Sequence, residues 1–125
     1  MSVTVSQHKN FVGGEWVEAV EGGTMEVLNP ATGEVIAEVP RAGEEDVDRA
    51  VAAAERAWET WREKTPKDRM QLLLALADVI DDNAEELARL ESRNVGKPWW
   101  VAVDEPGVMS DNLRFFAGAA RNLEG

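Results

Sequence analysis

The sequence predicts an α+β segment, in which short β-hairpins over about residues 10–40 precede about four α-helices. Short strand-like runs separated by glycine-rich turns fill the first part of the chain, up to Pro40. Beyond Pro40, apolar residues recur at helical spacing. Helix start and stop signals divide that region into predicted helices at 44–62, 65–81, 83–95 and 100–123. Pro106 and Gly107 lie near the start of the last one, so it either begins there or is kinked there.

Two tight turns define the hairpins. The run Phe11-Val12-Gly13-Gly14-Glu15-Trp16-Val17 predicts a two-residue turn, because paired glycines tolerate the positive φ that such turns need. In Asn29-Pro30-Ala31-Thr32-Gly33-Glu34, Pro30 sets the φ of a turn position and Asn29 can bond its own backbone. Gly33 supplies the positive φ with which the chain leaves the turn. The flanking strand-like runs are 25–28 and 35–39.

Each predicted helix has a capping signal and an apolar face. Three acids at 44–46 suit the first turn of the first helix. The second helix starts at Thr65-Pro66-Lys67-Asp68, a capping box with proline at the first helical position. Asn83 is expected to cap the third helix. Gly96 and Pro98 then end that helix. The faces expected to pack inward are Val47, Val51, Ala54, Trp58 and Trp61; Met70, Leu73, Leu74, Ala77 and Ile80; Leu87 and Leu90; and Met109, Leu113, Phe116, Ala120 and Leu123.

Composition restricts the classes of function. The chain has 125 residues, 44% of them hydrophobic and 30% charged, with a formal charge of −11. That charge argues against nucleic acid and anionic membranes as partners. No run approaches the ~20 apolar residues of a membrane span, and residues 1–9 lack the apolar run of a secretory signal, so we expect a cytoplasmic protein with a flexible N-terminus at 1–9. Cysteine is absent, which removes every thiol nucleophile and thiolate metal ligand.

Few residues offer chemistry by themselves. The glycine pairs fit turns better than a phosphate-binding loop, and His8 is the only histidine, so a histidine-based metal or catalytic site is not expected. For Trp99 and Trp100 we favour packing under the next helix over a ligand platform. Asp104 and Glu105 precede Pro106, and their types alone favour helix capping over an anionic patch for a cationic substrate group.

Taken in order, four motifs make the chain similar to the N-terminal portion of an NAD(P)-dependent aldehyde dehydrogenase. The motifs are the hairpin Phe11–Trp16, the turn Leu28–Val35, the helix Glu45–Ala54 and the segment from Leu90-Glu91 to Gly96-Lys97-Pro98. The resemblance implies that residues 10–125 are an incomplete N-terminal part of the cofactor-binding domain of an α/β parent fold. The parent would use NAD or NADP, and no cofactor is expected on this chain alone.

The ending Asp111–Arg121 is similar to the aminoaldehyde branch of that family, whose substrates are of the type of 4-aminobutyraldehyde or betaine aldehyde. The resemblance implies that Asp104 and Glu105 lie at the substrate entrance, where carboxylates could attract an ammonium group. It also implies a monovalent cation site formed by the backbone carbonyls of Val27 and Leu28 with Asn94. Many members have an acid at this last position; the amide here removes that charge.

The resemblance further implies catalysis by a cysteine thiolate, with hydride transfer to the nicotinamide cofactor and a glutamate that activates water. This chain has no cysteine, so we expect no catalytic residue in it and no activity from it alone. The alternative is a non-catalytic helical interaction or assembly module derived from such an enzyme. Helix faces without partners would be exposed, so we expect self-association or association with the missing C-terminal part.

Overall fold

The computed structural model describes residues 6–122, and the chain divides into two compact units, Met1–Glu63 and Lys64–Gly125. The sequence had predicted one unit over residues 10–125. Within residues 6–122, the first unit contains five strands and one long helix, and the second contains only helices. The strands are β1 (Ser6–Gln7), β2 (Asn10–Val12), β3 (Glu15–Val17), β4 (Thr24–Leu28) and β5 (Val35–Pro40); the helices are α1 (Glu44–Trp61), α2 (Pro66–Asp82), α3 (Ala84–Val95), α4 (Trp99–Ala102) and α5 (Glu105–Ala119). The order of strands followed by helices confirms the predicted α+β segment.

The strands form two small sheets. In the first sheet β5 is central, with β4 antiparallel on one side and β1 parallel on the other. The second sheet is the hairpin β2–β3, in which Phe11 pairs with Trp16 across the Gly13-Gly14 turn that the sequence predicted. The sequence analysis missed β1, because it assigned residues 1–9 to a flexible segment; Met1 to Val5 lie outside the described residues.

The turn between β4 and β5 has the predicted chemistry. The Asn29 side-chain oxygen accepts a hydrogen bond from the Ala31 amide at 2.9 Å, and the Asn29 carbonyl accepts one from the Gly33 amide at 2.7 Å. Gly33 has a φ of +73°, a conformation that a side chain would strain. The Asn29 amide then donates to the Glu34 carbonyl and closes the hairpin. The turn therefore sets the register of β4 against β5.

Helix α1 starts as predicted but does not bury the predicted face. Asp46 in its first turn accepts hydrogen bonds from the amides of Gly43 at 2.9 Å and Val20 at 3.0 Å, which fixes the preceding loop to the helix start. No residue of α1 is buried. The predicted inward face is exposed along its whole length, and its members are Val47, Val51, Ala54, Trp58 and Trp61. The prediction that this face packs inward is wrong for the described chain.

In the second unit, α2 packs against α5 through small side chains. Ala77 on α2 and Ala117 on α5 have no exposed surface. Helix α2 begins with the predicted capping box: the Thr65 hydroxyl accepts from the Asp68 amide at 3.2 Å, and the Asp68 carboxylate accepts from the Thr65 amide at 3.0 Å. The Thr65 hydrogen bonds hold the pKa of Asp68 below its usual value.

A cation joins the two packed helices at their rim. Arg114 of α5 donates to Asp78 at 2.8 Å and to Asp81 at 2.7 Å, both on α2. Hydrogen bonds from Ser110 and Arg114 lower the pKa of Asp81. Ser110 is itself buried. The α2–α5 pair therefore has an alanine-rich centre and a charged edge.

Three helix predictions need correction. The predicted helix 100–123 is two helices, α4 and α5, because the chain turns before Pro106. Asn83 does not cap α3 with its side chain; its amide nitrogen donates to the Val79 carbonyl at 2.8 Å and closes the end of α2 instead. The inner face of α5 is Pro106, Ser110 and Ala117, whereas Phe116 is 60% exposed and Met109 42% exposed. Leu123, the last residue of the predicted face, lies outside the described residues.

Candidate functional site

The predicted substrate-entrance acids lie at the start of α5, and their surroundings differ. Lys97, between α3 and α4, donates from Nζ to Glu105 Oε2 at 2.5 Å and to Glu91 Oε1 at 2.7 Å. These two hydrogen bonds raise the pKa of Lys97 above its usual value. Much of the Glu105 charge is therefore balanced by a cation of the chain itself.

Asp104 is the acid that remains turned to solvent. It is the residue before the first turn of α5, its side chain makes no capping hydrogen bond, and it is exposed. The interpretation of Asp104 as a side-chain helix cap is therefore wrong. Of the two predicted acids, Asp104 has the carboxylate that is available to an external cation.

A groove of about 300 Å³ lies between α3 and the start of α5. Leu87, Leu90 and Met109 contribute apolar walls, and Asn94 and Glu105 contribute polar ones. The structure thus brings two of the predicted site residues, Asn94 and Glu105, to one groove. Lys97, which pairs with Glu105 in this groove, was not among the predicted site residues, because it reaches Glu105 only after the chain reverses at Gly96, where φ is +72°.

The predicted monovalent cation site combines residues of the two units. Val27 and Leu28 are on β4 in the first unit, and Asn94 is on α3 in the second. This site stays a prediction. Within residues 6–122, no cluster of three or more His, Asp or Glu side chains could hold a metal ion.

Trp100 does not pack under the following helix, since it is 75% exposed. Trp99 is 43% exposed, and the Arg89 guanidinium lies 5.2 Å from its ring centre. The packing interpretation is therefore wrong for Trp100.

The expectation that no nicotinamide cofactor binds this chain alone stays a prediction. The phosphate-binding fingerprint of doubly wound folds is a glycine-rich turn between a strand and a helix, where backbone N–H groups approach the phosphates. In the described chain, Gly13, Gly14 and Gly33 instead lie in turns that join antiparallel strands. Nor, within residues 6–122, does any helix have the length and apolar character to cross a membrane.

Comparison with known proteins identifies the class to which this arrangement belongs. The model of the aldehyde dehydrogenase family matches residues 16–125. Aldehyde dehydrogenase 1 of Tanacetum cinerariifolium is 42% identical over 94% of this chain and 24% of its own length. The aldehyde dehydrogenase of Alternaria alternata is 44% identical over 92% of this chain and 24% of its own.

Solved structures agree with the sequence matches. An NAD-dependent aldehyde dehydrogenase from Sinorhizobium meliloti superimposes with a TM-score of 0.92 at 38% identity, over 98% of this chain and 25% of the other. The NAD⁺ complex of a Bacillus cereus aldehyde dehydrogenase superimposes with a TM-score of 0.90 at 43% identity, over 96% of this chain and 25% of the other. Betaine aldehyde dehydrogenase from Staphylococcus aureus superimposes with a TM-score of 0.85 at 35% identity, over 92% of this chain and 23% of the other.

The chain belongs to the aldehyde dehydrogenase family, and its fold is that of the N-terminal part of these enzymes. It spans about a quarter of the length of the curated relatives that it matches. The comparisons do not favour the alternative of a separate non-catalytic module. The expected cytoplasmic location stays a prediction.

Proposed function

We propose that this chain supplies the N-terminal quarter of an NAD-dependent aldehyde dehydrogenase that oxidises an aldehyde to its carboxylate. The single observation that carries the proposal is the family match over residues 16–125, supported by the backbone agreement with NAD-dependent relatives. This quarter supplies no catalytic residue. Its hairpins and helices form the N-terminal part of the cofactor-binding domain, and the nucleophile and the dinucleotide site are provided by the other three quarters.

We further propose an aminoaldehyde as the substrate class. The support is the exposed carboxylate of Asp104 at the start of α5, in a chain with a formal charge of −11. Glu105 contributes less, because Lys97 already pairs with it. A substrate ammonium about 6 Å from Asp104 in nearly bulk water would gain a factor of about three in binding by Coulomb attraction.

The test is a chimera in which this chain is joined to the remaining three quarters of the Bacillus cereus enzyme. NADH formation is followed by absorbance with 4-aminobutyraldehyde and with neutral butyraldehyde. We expect aldehyde-dependent NADH formation with both substrates and a lower KM for the aminoaldehyde. A chimera that is folded and binds NAD⁺ but forms no NADH with any aldehyde would contradict the proposed function.

The role of Asp104 is tested separately in the same chimera. Asp104→Asn is expected to raise KM for the aminoaldehyde about threefold and to leave KM for butyraldehyde and kcat unchanged, since only the attraction of an ammonium is lost. Asp82→Asn, which removes an exposed acid from the end of α2, is the matched control and should change neither KM. Equal KM values for Asp104→Asn and the parent chimera would refute the assignment of Asp104.

A further inference from the structure

The outer face of α1 has the spacing of a helix that pairs with another helix. Its apolar residues recur at alternating intervals of four and three, and they are Val47, Val51, Ala54, Trp58 and Trp61. At 100° per residue all of them lie within an arc of about 80°. Alternating intervals of four and three are the pattern with which two helices pack side by side. We call this row the α1 seam.

The α1 seam is uncovered in the described chain. Val47, Val51, Trp58 and Trp61 are 55%, 54%, 52% and 41% exposed, and no residue of α1 is buried. The hairpin β2–β3 approaches α1 on another side, where Ala53 faces Gly13 of the hairpin turn. Ala53 lies about 100° round the helix from the middle of the seam. The hairpin therefore leaves the seam open, most of all in the C-terminal half of α1.

From this spacing we propose that the α1 seam is the contact between two copies of this chain, packed antiparallel about a twofold axis at the level of Arg56. Trp58 then lies over Ala54 of the second copy and Trp61 over its Val51, so a large side chain meets a small one in each layer. A parallel pair would place each tryptophan against its own counterpart, and two indoles would compete for the space of one layer. The proposal concerns this chain as a separate polypeptide and does not depend on the proposed function.

Charged residues beside the seam favour the antiparallel direction. Asp48, Glu55 and Arg62 follow one another at intervals of seven residues along one edge of the seam. In the antiparallel pair Asp48 lies beside Arg62 of the second copy, twice, whereas Glu55 meets Glu55 once. In a parallel pair this edge would face Ala50 and Ala57, which have no charge. Because Arg62 already pairs with a glutamate of its own helix at 3.1 Å, the added attraction selects the direction more than it adds affinity.

The area of the seam sets the strength of the contact. A fully covered tryptophan buries about 150–250 Å², so covering the exposed parts of the two tryptophans and two valines removes about 300 Å² of apolar surface per copy. Interfaces with a total below about 1,200 Å² belong to the weak, transient class. Each copy also has a formal charge of −11, which opposes association at low salt. We therefore expect a dimer that dissociates on dilution, with a Kd on the order of 100 μM at high salt.

The first experiment measures the mass of this chain by sedimentation and light scattering. Concentrations run from about 5 to 500 μM in about 0.5 M NaCl, where the Debye length is about 4 Å and the net charge is screened. Ala54→Glu places a carboxylate under Trp58 of the second copy and is expected to raise Kd about tenfold or more. Thr60→Glu adds the same charge at an exposed position about 120° round the helix, and Kd should not change. Circular dichroism checks that both variants are folded.

The second experiment tests the direction of the pair by crosslinking, which is clean because the sequence has no cysteine. Glu55→Cys places one thiol of each copy beside the twofold axis, on the same edge, within reach of a short bifunctional maleimide. Val51→Cys places the two thiols about 15 Å apart in the antiparallel pair, but face to face in a parallel one. We therefore expect the crosslinked dimer from Glu55→Cys and little of it from Val51→Cys.

A mass that rises with concentration from one chain towards two, an effect of Ala54→Glu but not of Thr60→Glu, and the crosslink at residue 55 would support the proposal. Four results would overturn it: a monomer at every concentration, equal Kd for the parent and Ala54→Glu, a species larger than two chains, or stronger crosslinking of Val51→Cys than of Glu55→Cys. The activity of the chimera tests the proposed function separately, because the crosslinking and the mass are measured on this chain alone.

Discussion

Removal of the Thr65 side chain tests how α2 is held at its start. Thr65→Ala deletes the hydroxyl that accepts from the Asp68 amide at 3.2 Å and donates to the Asp68 carboxylate at 2.7 Å. The loss of a threonine cap costs about 1 kcal/mol of the free energy of unfolding. For a slope of about 2 kcal/mol per molar urea, this lowers the midpoint of unfolding by about 0.5 M. Urea titration followed by far-ultraviolet circular dichroism measures the shift.

The dependence of this stability difference on pH in the acid range makes the prediction specific to the capping box. The pKa of Asp68 is lowered from 3.8, first by the Thr65 side-chain hydrogen bond and then by the Thr65 backbone hydrogen bond. A carboxylate whose folded pKa is depressed contributes stability above its unfolded pKa and loses that contribution as pH falls through the folded pKa. The difference in free energy of unfolding between parent and Thr65→Ala should therefore have its largest value at pH 7 and become smaller below about pH 4.

Two controls accompany this variant. Thr65→Ser keeps the hydroxyl and should stay close to the parent. Thr60→Ala removes a threonine hydroxyl that bonds the Ala57 carbonyl within α1, and should change the free energy of unfolding by no more than about 0.5 kcal/mol. Equal midpoints for the parent and Thr65→Ala at pH 7 would refute the reasoning, as would a difference that does not change between pH 7 and pH 3.

Three further variants test other contacts. Lys97→Met removes the partner of Glu91 and Glu105 and should lower the free energy of unfolding at pH 8, measured by urea titration. Because the pKa of Lys97 is raised in the folded chain, its contribution to stability is lost as pH rises above about 10.5. The difference in free energy of unfolding between parent and variant should therefore be smaller at pH 11. Ala77→Leu forces a larger side chain into the α2–α5 contact and should cost about 1–3 kcal/mol by thermal or urea unfolding, and an unchanged midpoint would refute close packing there. Gly33→Val, at a φ of +73°, should cost about 1–2 kcal/mol, whereas Gly33→Asn should cost clearly less; equal costs would contradict the left-handed turn. For the parent chain alone, we expect no thermal shift with NAD⁺, and a clear shift would place a nucleotide site within it.

Local chemistry explains which parts of the fold could be predicted from the sequence. The turn at Gly33 and the capping box at Thr65 each depend on residues within five positions of one another, so the sequence alone determines them. The family resemblance was also readable, because it rests on such local motifs in a fixed order. Asn83 lies between two helices and could bond either one, and the sequence does not choose between them.

The inner helix faces could not be predicted because small residues form the contact. Ala77, Ser110 and Ala117 allow α2 and α5 to approach closely, and bulky residues such as Phe116 then lie at the sides. A search for large apolar residues at helical spacing therefore selects a neighbouring stripe. On α1 the apolar residues do recur at helical spacing, yet none of them is buried.

The place of the two acids at a helix start was predicted, but the ion pair of Glu105 was not, and their role at a substrate entrance stays a prediction. The resemblance placed Asp104 and Glu105 together, and both are indeed at the start of α5. No sequence pattern indicated that Lys97 would pair with Glu105, because that contact depends on the reversal of the chain at Gly96. Electrostatic pairing between elements depends on tertiary geometry, which local patterns do not contain.

The central position of β5 has a consequence for the order of events during synthesis. Both partners of this strand, β1 and β4, precede it in the chain, and the first unit ends at Glu63. All strand pairings of this unit are therefore available before α2 is translated. A ribosome that adds about 5–20 residues per second leaves seconds between the emergence of the two units, and domains fold as they emerge. The sheet can thus be assembled while the helical unit is still being made.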